Sequence, residues 1–342
     1  MTDLPVMPGA ASSGAAPFLE QQLFDRSPLG TFGTAAVLFL VCLGSFEALA
    51  LFAGYPLSDQ LSLRPSEGAW PAMILSLLLA VALGMQRYTR LKDMKDTPAL
   101  DQLMACDARQ FAVDRPDARR RVRNAAWIGM VAGLGLSFVS VPSGVLEKHL
   151  ALFLWFAAIQ ILLGAMFSRG IVLSRIASRG FAERIDRDLK VDLLRVDDLS
   201  LIARSSARVA LVWLCVAAVI SLFFVNGGAS WTVISIIVLS GGMAFWIFFR
   251  PLQHVHKRIR EAKRAELDRL RKAIAEQREQ ATHDHTAASR LHGLLAYETR
   301  IEHVHEWPFD QLTLLRVASY VLIPASPALG QIAMRYFTHA AP

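Results

Sequence analysis

The sequence predicts an all-α polytopic membrane protein, and three observations carry that prediction. Of 342 residues, 54% are apolar and 19% charged, against about 45–50% and about 25% in soluble domains. The mean hydropathy is +0.37, and the apolar residues are gathered into long runs rather than spread in a core-and-surface alternation. The basic residues fall almost wholly between alternate runs. Cys42, Cys106 and Cys215 are too few for a disulfide framework or a zinc site, and two of them sit inside apolar sequence.

Taken in order, residues 1–30 are rich in Ala, Ser, Gly and Pro and lack the basic and apolar regions of a signal peptide, so they read as a disordered cytosolic tail. A membrane-crossing helix needs roughly 20 mostly apolar residues, because the hydrocarbon core is about 30 Å thick and each residue rises about 1.5 Å. Six stretches qualify within residues 31–249: Phe32–Gly54, Trp70–Gln86, Ala125–Ser140, His149–Phe167, Ala207–Val225 and Trp231–Phe249. They form three transmembrane hairpins.

Orientation follows from the connections. Segment 87–124 carries Arg87, Arg90, Lys92, Lys95, Arg109, Arg115, Arg119, Arg120, Arg121 and Arg123, and segments 168–206 and 250–310 are similarly basic. The turns around 55–69, 141–148 and 226–230 hold only Arg64 and Lys148. Positive charge resists translocation, so the expected N-terminus is cytoplasmic and the expected membrane is the bacterial inner membrane. The net charge of +7 follows from this asymmetry and calls for no nucleic acid partner.

Helices in lipid associate through small residues that let backbones approach. The second span carries Ala72, Ser76, Ala80 and Gly84, and the third Ala125, Gly129, Gly133 and Ser137. These are the expected closing faces, within one chain or between copies of a homo-oligomer. Trp70, Trp127, Trp155, Trp213, Trp231 and Trp246 fall mostly near span ends, as interfacial anchors do.

The basic connections have structure of their own. Segment 168–206 places Phe181, Ile185, Leu189, Leu193 and Leu194 among charges, an amphipathic pattern suited to lying on the membrane or packing on its neighbours. From Trp231 the helical pattern runs past Pro251 to about Gln280, roughly 50 residues and about 75 Å if continuous. Ile259, Ala262, Leu270, Ala273 and Ile274 lie near one stripe, interrupted by Glu266 and Arg269, so a coiled coil is one option. A second helix over about 286–306 would complete a cytosolic helical hairpin, residues 250–306.

Glu47 is the acidic residue deep in a predicted span, where an ionisable group is costly enough to suggest a function in ion attraction, proton binding or pairing; otherwise it reaches water at the outer turn. Arg119, Arg120, Arg121 and Arg123 are a topology anchor that can also hold anionic lipid headgroups. Residues 307–342 form a broken membrane segment: an apolar half-helix containing Arg316, then Pro324, Ser326 and Pro327, then a second half to Arg335. It is a re-entrant hairpin, a kinked seventh span or a surface-lying helix, and in the first two cases the break lines something. His254/His256, His283/His285 and His303/His305 are His-x-His pairs whose members point apart on a helix, which disfavours one shared metal and leaves solvation or pH sensing.

No phosphate loop, zinc-protease, serine-hydrolase or potassium-filter motif is present. No enzymatic activity, cofactor or metal is therefore expected. Two stretches, Pro251 through Leu267 and Glu306 through Asp310 with Ile323-Pro324, are similar to segments of an uncharacterised family of bacterial multi-pass inner-membrane proteins. That resemblance implies no activity and no site. Glu47, the proline break and the small-residue faces point first to an oligomeric channel or permeation protein. The rival readings are a membrane-anchored scaffold or signalling protein that recruits a cytosolic protein partner, and a secondary transporter.

Overall fold

The computed structural model describes residues 19–54, 69–104, 116–141, 149–189, 192–194, 199–226, 231–281 and 285–304, together with Trp307 and Ser319. Every regular element among them is helical: α1 (Leu19–Arg26), α2 (Gly30–Phe52), α3 (Ala69–Met104), α4 (Pro116–Ser140), α5 (Leu150–Asp188), α6 (Ser200–Ser221, followed by a 3-10 turn, Leu222–Asn226), α7 (Trp231–Ala281) and α8 (His285–Glu302). Six of these, α2 to α7, are long and apolar enough to cross a membrane. The broken segment beyond Trp307, with Arg316, Pro324, Ser326 and Pro327, lies outside the described residues.

The expected three hairpins are present as α2 on α3, α4 on α5 and α6 on α7, and they join where α3 meets α6 and α5 meets α7. Both small-residue stripes close inside the chain. Ala72, Ser76 and Ala80 are buried, and a Cβ on Gly84 would stand 3.1 Å from the Ala35 Cβ of α2. Along α4, Ala125, Gly129, Gly133 and Ser137 are all buried, and Gly129 and Gly133 rest directly on the α5 backbone at Gly164 and Gln160. The Gln160 amide donates to the Ser140 hydroxyl at 2.9 Å, holding the far end of the same pair.

The bundle interior is a stack of apolar layers. Phe46, Ala50, Ala72, Phe153, Trp155 and Phe156 fill one end, and Ile74, Leu78, Leu79, Leu163, Met166, Val216 and Ile220 fill the middle. The outward surface carries Leu40, Val41, Ile128, Val131, Val238 and Phe245, all exposed. Exposed apolar side chains in such number on long apolar helices are unfavourable in water and are solvated in a bilayer.

Four sequence expectations change. Residues 19–26 are helical rather than disordered, because Phe24 inserts into the mid-bundle layer and Asp25 pairs with Arg87 of α3. The helix of the second span does not stop at Gln86 but runs through Pro98 to Met104. Trp155 and Trp213 are core residues rather than interfacial anchors: Trp155 stacks edge-on against Phe46 and donates its indole N–H to Ser45 at 2.9 Å, while Trp213 packs on Phe167. Leu194, grouped with the amphipathic apolar residues, is 50% exposed, whereas Ile185 and Leu189 are buried.

Candidate functional site at the polar end of the bundle

In α3, α5 and α7 the apolar half comes first and the polar half follows; in α4 and α6 the order is reversed. Antiparallel packing therefore gathers all five polar halves at one end. There the helices do not splay apart. Leu100 of α3, Ile185 and Leu189 at the end of α5, Leu199 and Ile202 at the start of α6, and Val255 and Ile259 of α7 form a second core, with Ile185, Ile202, Val255 and Ile259 wholly buried. The amphipathic pattern of 168–206 is thus spent on neighbouring helices.

Polar contacts between side chains tie the helices together around this core. Arg208 of α6 reaches Asp93 at 3.0 Å and Asp96 at 2.7 Å on α3, and Ser205 lies 3.5 Å from the same Asp93 carboxylate. Asp186 of α5 meets His254 of α7 at 2.8 Å. Each pair bridges two hairpins. Replacing Arg208 with Gln leaves two facing carboxylates, so a loss of about 1–3 kcal/mol is expected, below the roughly 3–5 kcal/mol of a fully buried pair because both aspartates keep some water. Thermal unfolding in detergent measures it, and adding Asp93→Asn and Asp96→Asn to Arg208→Gln should recover part of the loss.

Helix α7 is unbroken through Pro251, 51 residues in all, and extends past this core. Helix α8 folds back along it. Ile301 is wholly buried against α7, and the Lys263 ammonium donates to the Glu302 and Val304 carbonyls at 2.7 and 3.0 Å, capping the C-terminus of α8. Arg271 binds Glu298 at 3.1 Å and Glu302 at 3.4 Å, and the hydrogen bond it donates to the Glu298 carboxylate, helped by both carboxylate charges, holds its guanidinium above the usual range. His256 stacks on Trp307 with centroids 4.3 Å apart, so the chain leaving α8 returns to within two turns of Arg250.

The sequence-predicted site residues do not converge. Glu47 is half-buried in the last turns of α2, beside the buried Phe46, with no ion-pair or hydrogen-bond partner among the described residues. Arg119, Arg120, Arg121 and Arg123 are exposed on the first turns of α4, at the polar end. His254 and His256 turn to different neighbours, as their spacing requires. Among the described residues no three His, Cys, Asp or Glu side chains come together as a metal site. A recess between α3, α5 and α6, lined by Gln86, Met166, Phe167, Gly170 and Trp213, has a volume of about 30 Å³, room for about one water.

Sequence reasoning missed Asp93, Asp96, Arg208 and Asp186. The available signal was two acids three residues apart just past the second span, in a connection otherwise dominated by cations. Comparison with protein-family models, curated proteins and solved structures found no match to this chain.

Proposed function

We propose that this chain is a membrane-anchored helical scaffold, whose bundle spans the bacterial inner membrane and whose polar end, in the cytosol together with the N-terminus, docks a protein partner through the α7–α8 hairpin. The observation that carries this reading is the second core: helices from all three hairpins leave the apolar bundle and pack again on one another around Ile185, Ile202, Val255 and Ile259. A pure anchor needs no such core. The side to which it projects follows from the basic connections. The hairpin presents Arg260, Glu261, Arg264, Asp268, Arg269 and Lys272 on its exposed side, a charged surface suited to a partner of mixed charge.

The test has two arms. Native membranes solubilised in mild detergent should yield the protein in a complex larger than itself, and Ile301→Asp with Lys263→Gln, which undocks α8, should release it while leaving the spans inserted. Ion flux from proteoliposomes at pH 7.5 and 5.5 should be absent. Flux that disappears in Glu47→Gln would replace the scaffold by the permeation reading and make a second copy of the chain the partner to seek.

A further inference from the structure

At the polar end, the arginines nearest the bundle interior have carboxylate partners within the chain: Arg87 has Asp25, and Arg208 has Asp93 and Asp96. Helix α4 departs from this pattern. Ala118, Val122, Ala125, Gly129 and Gly133 occupy its buried stripe, which forces the residues between them outward. Arg120 and Arg123 therefore head the same face as Trp127, Val131, Leu134 and Phe138, all exposed, and Arg121 stands beside them. Arg120, Arg121 and Arg123 have no carboxylate partner among the described residues, and the one acid in the first turn is Asp117.

One helix face thus passes from Arg120 and Arg123, with Arg121 at its edge, to an indole one turn beyond Arg123 and then to an apolar row. The chemical order is that of a phospholipid leaflet: phosphate, interface, acyl chain. Arginine forks bind phosphate oxygens bidentately, and their stems lie along apolar surface while the guanidinium stays at headgroup depth. We propose that Arg120, Arg121 and Arg123, with Trp127 below them, form a binding site for an acidic phospholipid, with preference for a headgroup bearing two phosphates. Three adjacent cations outmatch a single phosphate, and two phosphates neutralise most of that charge. The site is independent of the scaffold reading, since it needs neither the hairpin nor a protein partner.

The experiment is thermal unfolding of the full-length protein in neutral detergent, titrated separately with a zwitterionic phosphatidylcholine, a singly charged phosphatidylglycerol, cardiolipin and inorganic phosphate. The midpoint should rise most with cardiolipin, less with phosphatidylglycerol and least with phosphatidylcholine, and the acidic-lipid effect should weaken as salt is raised. Each Arg→Gln change should weaken apparent lipid affinity about fivefold, and R120Q/R121Q/R123Q about a hundredfold, whereas the triple Arg→Lys variant, which keeps the charge and loses the bidentate fork, should fall between the wild type and the triple Gln variant. If the triple Gln variant does not fold, the single variants R120Q and R123Q carry the comparison. Equal stabilisation by acidic and zwitterionic lipid, or wild-type affinity in the Gln variants, overturns the proposal. Equal affinity for inorganic phosphate overturns the lipid as the ligand.

Discussion

Adding one methyl group at Gly129 should collapse the thermal stability of the protein, while adding one at Gly135, less than two turns along the same helix, should leave it unchanged. A Cβ at Gly129 would overlap the Gly164 carbonyl and crowd the Ser168 hydroxyl of α5, whereas one at Gly135 meets nothing within 4 Å. Overpacking against movable side chains costs about 1–3 kcal/mol. Here the obstacle is backbone on both sides, so the two helices must separate along their whole contact, and Gly129→Ala is expected at or above the top of that range. Gly164→Ala should behave alike, because its Cβ would meet the Gly129 carbonyl in return. The measurement is the apparent midpoint of thermal unfolding in one detergent for wild type, Gly129→Ala, Gly164→Ala and Gly135→Ala. Equal midpoints for Gly129→Ala and Gly135→Ala would mean that α4 and α5 are not in backbone contact.

That contact was legible in the sequence for a physical reason. In lipid there is no gain from burying one apolar side chain rather than another, so the closing face is marked by size alone, and Gly129 and Gly133 mark it. The six spans and their pairing into hairpins were legible for an equally simple reason, since run length and the placement of Lys and Arg do not depend on tertiary detail. Tryptophan is different. Trp155 and Trp127 look alike in sequence, each a few residues from a span end, yet Trp155 is 8% exposed and Trp127 61%. What separates them is a partner 110 residues away, Ser45, which accepts the Trp155 indole hydrogen. Periodicity within one helix contains no information about such a partner.

The polar end was less legible still. Amphipathic helices in 168–206 were evident, but whether Ile185 and Leu189 would face lipid headgroups or other helices depends on where α7 goes after Pro251, and proline alone does not say whether a helix ends or continues. The same holds for Asp93 and Asp96. Their role rests on Arg208, a cation among many in the sequence and the one that antiparallel packing of α6 on α3 brings between them. Glu47, conspicuous by its chemistry, gains no partner from the fold among the described residues.

Replacing Ile259 with Asp should melt the polar end while leaving the protein in the membrane. Ile259 is wholly buried among Leu100, Ile185, Leu199, Ile202 and Val255, residues contributed by α3, α5, α6 and α7 or the turns at their ends. Truncating a buried isoleucine costs about 2–5 kcal/mol, and a carboxylate with no cation at that depth adds a desolvation penalty, so a total beyond the usual single-substitution range of about 0.5–3 kcal/mol is expected. The apolar bundle has its own layers around Ile74, Leu79 and Phe46 and does not depend on this one. Amide hydrogen exchange should therefore rise in the polar halves of α3, α5 and α7 and stay low in their apolar halves, whereas Arg260→Ala, at the exposed neighbouring position, should change neither. If protection in the polar halves survives Ile259→Asp, those helices stand independently beyond the bundle and the shared core no longer supports a scaffold. If it is lost together with the detergent-stable complex, while the spans remain inserted, the partner is held by the folded polar end rather than by the membrane-embedded helices.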